Sequence, residues 1–166
     1  MNIMSIFTGF AGRINRAKWW IGTVILIIVA TIVYFILAGI FGATPPTDPA
    51  QVSSFLRSIA IMQLIVLAII AYPATAMWIK RLNDRDRPSW FAYIFWAPTV
   101  LSVLGGLLGL TMTTTDMGGI SMPTQTGLGW VLALASLAVG IWALVEMGIL
   151  KGTDGPNQHG PDPLAR

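Results

Sequence analysis

"KRLNDRDRPSW", residues 80–90, sets four basic and two acidic side chains between two apolar runs that carry no charge at all. Those runs are "IAIMQLIVLAIIAYPATAMWI" (59–79) and "FAYIFWAPTVLSVLGGLLGL" (91–110). Each is long enough as a helix to cross a hydrocarbon core of about 30 Å. The short charged segment then reads as a turn held in water between two antiparallel spans. Trp78 and Trp90 flank it where aromatic belts lie, at headgroup depth. Helices are the expected spanning form, because lipid offers backbone amides no partners and the alternation of barrel strands is missing.

The composition agrees with this reading. Hydrophobic residues make up 55% of the 166-residue chain and charged residues only 10%, against about a quarter charged in a soluble domain. Four spans follow, at about 19–41, 59–79, 90–110 and 128–150, with a tail at 151–166. The expected fold is therefore all-α, a single polytopic membrane domain over 1–166 with four transmembrane helices. "MNIMSIFTGF" (1–10) reads either as a short N-terminal interfacial helix, with Ile3, Ile6, Phe7 and Phe10 on one face and Asn2, Ser5 and Thr8 opposite, or as a frayed terminus. In "TDPAQ", Asp48 caps a helix that starts before the bilayer, with Gln51 as capping-box partner. Pro73 inside that helix predicts a kink. The first apolar run is too long for the core of a cleavable signal peptide, and Phe41 stands where a cleavage site needs a small residue, so the first span is expected to stay.

Sorting the ten Lys and Arg residues by these spans gives an orientation. Arg13, Arg16 and Lys18 precede the first span; Lys80, Arg81, Arg85 and Arg87 sit in the turn; Lys151 and Arg166 follow the fourth. Only Arg57 falls on the other side. Translocation disfavours Lys and Arg, so both termini and the turn are expected in the cytoplasm.

Three segments on that side are patterned: "GFAGRINRAKWW" (9–20), "KRLNDRDRPSW" and "KGTDGPNQHGPDPL" (151–164). They resemble the bacterial inner-membrane proteins called domain-of-unknown-function 805. The matching positions are Phe10, Gly12, Arg13, Arg16 and Trp20; then Pro73, Arg81, Leu82, Asp84, Ser89 and Trp90; then Gly152, Gly155, Asn157, Gly160, Asp162 and Pro163. Asn83 stands where that family has His, His159 where it has Tyr, and Lys18 where an acid is common. The resemblance implies an inner-membrane location and no particular reaction.

Topology brings the three segments together, which predicts one cytoplasmic cluster of Arg13, Arg16, Arg81, Asp84 and Asn157. In it the arginines supply charge-assisted donors, Asp84 orients an arginine, and the tail folds over them. An anionic lipid headgroup or a partner's acidic segment would suit such a cluster. The competing reading is that the basic residues only set topology and Asn83 ends a helix. Glu146, the acid within the fourth span, is either a proton or cation ligand or a structural partner of Lys151, Lys80 or Arg81, the second being favoured. Gly105–Gly109, Ser102–Gly106 and Ser136–Gly140 are small-residue pairs suited to close helix packing.

Enzyme chemistry finds little support. The chain has no cysteine and a single histidine, and neither zinc-protease, calcium-loop nor phosphate-loop patterns are met. No catalytic residue, metal, cofactor or nucleic-acid partner is expected. The leading function is a non-catalytic accessory, scaffold or assembly component. It would meet membrane lipids, another membrane protein or further copies of itself. The alternative is a small transporter or lipid-handling protein using Glu146 and the Pro73 bend.

Overall fold

The computed structural model describes residues 3–42, 46, 48–116, 118 and 121–165. Asn2 and Arg166, both used in the sequence reading, lie outside them. Asn15 opens helix α2 (Arg16–Phe41) by accepting a hydrogen bond from Lys18 N at 2.9 Å, and Gly42, in the left-handed region, closes it. A 3-10 turn (Pro49–Gln51) leads into α3 (Val52–Asp84), where Asp48 accepts from Ala50 N at 2.9 Å. The helical run thus starts where the sequence placed it. Gln51 Nε2 bonds the Asp48 carboxylate at 3.3 Å, whereas a capping box would take it to the Asp48 backbone. α3 continues through Pro73 as one helix. α4 (Phe91–Leu107) and α5 (Gly127–Ala143) follow, and α5 passes into a π-helical segment, Leu144–Ile149.

α2 packs on α3, α3 on α4 and α4 on α5, and the π segment returns to α2. The ring is thereby closed at one end. Close approach is enforced by small residues: a Cβ on Gly22 would come within 2.5 Å of Met77 Sδ, and one on Gly106 within 3.3 Å of Ala60 Cβ. Gly140, by contrast, faces open space. The core at the closed end comprises Ile6, Ile14, Trp19, Met77, Leu82, Phe95 and Met147 among others.

Among the described residues, α2, α3 and the α5–π run Gly127–Ile149 are long and apolar enough to cross a membrane. α4, at 17 residues, is shorter, about 25 Å at 1.5 Å per residue. The expectation of an all-α chain needs correcting. The segment between α4 and α5 forms an antiparallel hairpin, β1 (Met112–Asp116) with β2 (Ser121–Gln125), in register Met112↔Gln125 to Asp116↔Ser121. Its threonines favour extended backbone, and Thr115 and Thr124 hydroxyls meet across it at 2.7 Å.

The N-terminal helix exists, as α1 (Met4–Phe7). Ile6 is buried in the core and Phe7 packs beside it, while Ile3 and Phe10 are exposed. Lys80, itself buried, fixes this helix by donating from Nζ to the carbonyls of Ser5 and Thr8.

Candidate functional site

Three segments distant in sequence converge at the closed end of the bundle, around Asp84. This carboxylate is the last residue of α3. Arg13, on the extended segment before α2, donates Nε–H to its Oδ1 at 3.1 Å. Arg81, one turn back on α3, donates from Nη1 to Oδ2. The Arg13, Arg81 and Asp84 side chains are 1%, 0% and 4% exposed, so these are buried charges that need every partner they have.

They have many. Arg13 also donates Nη1 to the carbonyls of Gly155 (2.8 Å) and Gly160 (3.3 Å) and Nη2 to that of Thr153 (2.7 Å). Arg81 donates Nε to Met147 O (2.7 Å) and Nη2 to Leu150 O. Both guanidiniums are thus directed inward, onto the protein's own carbonyls.

The arrangement has a physical reason. A helix leaves its last carbonyls without intrahelical donors and carries partial negative charge at that end. Here five successive carbonyls at the end of the α5–π run are taken by side chains from α2 and the α3 turn. Arg81 takes Met147 and Leu150, Trp20 Nε1 takes Gly148 (3.1 Å), Arg16 Nη1 reaches Ile149 (3.4 Å) and Arg85 Nη1 takes Lys151 (2.6 Å). Two of the four basic residues in "KRLNDRDRPSW", Arg81 and Arg85, thus answer the needs of another helix's end.

The turn itself closes with a Schellman pattern, Arg87 N to Leu82 O (2.9 Å) and Asp86 N to Asn83 O (3.2 Å), with Asp86 left-handed at φ 53°. Asp86, then, is the residue that ends α3. Asn83 is buried and donates to the carbonyls of Phe10 (3.3 Å) and Gly12 (3.1 Å), tying the N-terminal segment down.

The tail folds over the cluster as the sequence suggested. Asn157 Nδ2 donates to Asn83 O and Thr153 Oγ1, both at 2.9 Å, and Thr153 N donates to Asp84 O at 2.8 Å. A Cβ on Gly152 would run into the Asp84 carboxylate, so only glycine fits there. Asp162 shapes the last turns by accepting from Leu164 N (2.8 Å) and Gly155 N (3.1 Å). Those two amides, Leu164 first, hold its carboxyl below the usual carboxylate range. A depressed folded value means the stabilisation is complete above the ordinary range and is lost as pH falls through the lower, folded one. The protection factors of the Gly155 and Leu164 amides, with the intrinsic pH dependence of exchange divided out, are therefore expected to stay flat down to about pH 5 and to fall only in stronger acid; Asp162→Ala should lower them already at neutral pH.

Of the five cluster residues, Arg13, Arg81, Asp84 and Asn157 are joined in one network, while Arg16 stays exposed with a single long contact. Glu146 is buried in the π segment, and its Oε1 accepts from Arg85 Nε (2.7 Å) and Arg87 Nε (3.2 Å). It is a structural partner, though of neither Lys151, Lys80 nor Arg81. Asn83 and Thr153 were missed as members of this network, and Lys80 and Arg85 as the donors to the N-terminal carbonyls and to Lys151 O. A pocket of about 120 Å³ remains beside the network, bordered by Arg16, Lys151, Asp154 and Asp162.

A family model described as "Protein of unknown function (DUF805)" matches residues 7–161. The chain is similar to "Inner membrane protein YhaI" of Escherichia coli (strain K12), 23% identical over 163 residues, covering 98% of this chain and 92% of that protein. The protein of the same name from Escherichia coli O157:H7 matches with the same figures. No solved structure matches.

Proposed function

We propose that this chain, which belongs to the DUF805 family of proteins of unknown function, is a non-catalytic accessory or scaffold of a bacterial inner membrane. It forms one domain with four spans, both termini cytoplasmic, and offers its capped end to a membrane partner. α4 counts as the third span because α3 and the α5–π run both end at the cap, so the chain must return to the far side between them. A short helix is accommodated by local bilayer thinning. The named relative, an inner membrane protein, supports the location, and the distribution of Lys and Arg supports the orientation.

The observation that carries the scaffold reading is the inward direction of Arg13 and Arg81. Charge directed onto internal carbonyls builds a rigid cap, and Arg13 and Arg81 are thereby committed to structure. Exposed Arg16 and Lys151, at the rim of the small pocket, are then the contacts for an acidic segment of a partner, with anionic headgroups as the other source of the same chemistry. Purification in a mild detergent is expected to bring down a second membrane protein at fixed stoichiometry, and Arg16→Glu with Lys151→Glu to release it without changing monodispersity. Recovery of the chain alone, whatever the detergent, would count against a scaffold. The lipid-handling alternative gains from the apolar cleft inside the bundle.

A further inference from the structure

The cleft between α2 and α5 has a volume of about 420 Å³, within the range of sites that take one small ligand. It shares Ala30, Ile70, Trp96, Thr99 and Ser136 with an adjoining chamber of about 440 Å³ that reaches Tyr34. From Trp19 to Tyr34 the pair runs along about 22 Å of helix at 1.5 Å per residue. One leaflet of hydrocarbon is about 15 Å deep, half of a 30 Å core, so the cleft is deep enough for one acyl chain. Its mouth lies between Ile27 and Leu144, which line it and are 59% and 44% exposed.

The wall is largely apolar, and two of its few polar groups have nothing to bond. Trp19 Nε1 and Thr23 Oγ1 are, among the described residues, the buried side-chain nitrogen and oxygen atoms that find no partner in the protein. Both residues line the cleft, and at i and i+4 they share one face of α2. Trp19 is 5% exposed. Buried polar groups are almost always paired, and even the less buried indoles nearby are: Trp96 Nε1 donates to Thr75 Oγ1 (2.8 Å) and exposed Trp20 Nε1 to Gly148 O. An indole N–H can only donate. The missing partner is an acceptor on an otherwise apolar molecule.

The geometry points to an ester-linked acyl lipid of the bilayer, entering sideways between α2 and α5. Its ester carbonyl accepts from Trp19 Nε1 and Thr23 Oγ1, and its chain lies along the cleft toward Tyr34. Trp19 sits one turn inside the capped end, at the depth where membrane tryptophans meet the headgroup boundary. The lipid's polar part then emerges beside exposed Arg16. The inference rests on membrane placement and is independent of the scaffold reading.

The test uses the full chain in bilayer discs of phosphatidylcholine carrying a photoactivatable group midway along one acyl chain, with crosslinked residues mapped by mass spectrometry. Leu26 and Val139, inside the cleft, and Phe35 and Ile36, on the outer face of α2, should all be labelled. Trp19→Phe and Thr23→Val should each cut cleft labelling about fivefold, the loss expected for one net hydrogen bond, with Phe35 and Ile36 unchanged. The ether-linked analogue, lacking the carbonyl, should label the cleft as weakly as the variants do. Equal labelling by ester and ether lipids, no change in Thr23→Val, or label at Phe35 and Ile36 with none at Leu26 and Val139 would each overturn the site. Absence of label even at Phe35 and Ile36 would overturn membrane placement itself, and the site with it.

Discussion

Asp84→Asn is expected to destabilise the protein by about 3–5 kcal/mol, the usual cost of removing one partner from a buried ion pair. The substitution keeps the side chain's shape and removes only its charge. Arg13 and Arg81, 1% and 0% exposed, would then sit buried with no counter-ion, and the amide would present an N–H to one of them. Thermal melting in detergent should show a drop of many degrees, with loss of the monodisperse fraction on size exclusion. Asp86→Asn is the matched control. Asp86 is 46% exposed, its left-handed backbone suits Asn equally, and the change should stay within about 0.5 kcal/mol. If the charges of this turn served topology alone, the two variants would behave alike.

Arg81→Lys separates the two readings more sharply, since Lys and Arg count equally in membrane orientation. Lys keeps the charge at one nitrogen. The guanidinium reaches Asp84, Met147 O and Leu150 O from three, a fork that an ammonium cannot reproduce. Each buried carbonyl left without a donor costs about 1–3 kcal/mol, so a total of about 2–4 kcal/mol is expected, read as a lowered melting temperature with unchanged insertion. Arg87→Lys, at a side chain 50% exposed, should be near silent because exposed ion pairs contribute about 0–1 kcal/mol. A silent Arg81→Lys would remove the capping account.

Much of this end of the molecule was legible in the sequence. The order of the long apolar helices is enough to bring residues 9–20, 80–90 and 151–164 together, and apolar length is a strong signal. The Asp48 start of α3 and the folding of the tail over Asp84 could be read for similar reasons, since turn and cap chemistry is local. The direction of the guanidiniums was not legible. Arg13 finds its carbonyls 140 to 147 positions away, and sequence carries no mark telling a donor aimed at protein from one aimed at solvent. The same distance hid Arg85 and Arg87 as the partners of Glu146. The Thr-rich hairpin was missed because five-residue strands with exposed faces lack a buried alternating stripe. The π segment was missed because one extra residue per turn leaves no trace in composition.

Synthesis is directional, and that gives the cap at residues 147–151 a temporal meaning. Arg13 and Arg16 leave the ribosome first and Arg81 midway, but the carbonyls they serve are made more than 60 positions after the last of them. Until then Asp84 can pair with Arg13 and Arg81, but their remaining donors lack the carbonyls that later receive them, a state open to aggregation and proteolysis. The bundle can therefore be locked at this end only after the α5–π run has been delivered, so the cap is a late event in the order of assembly.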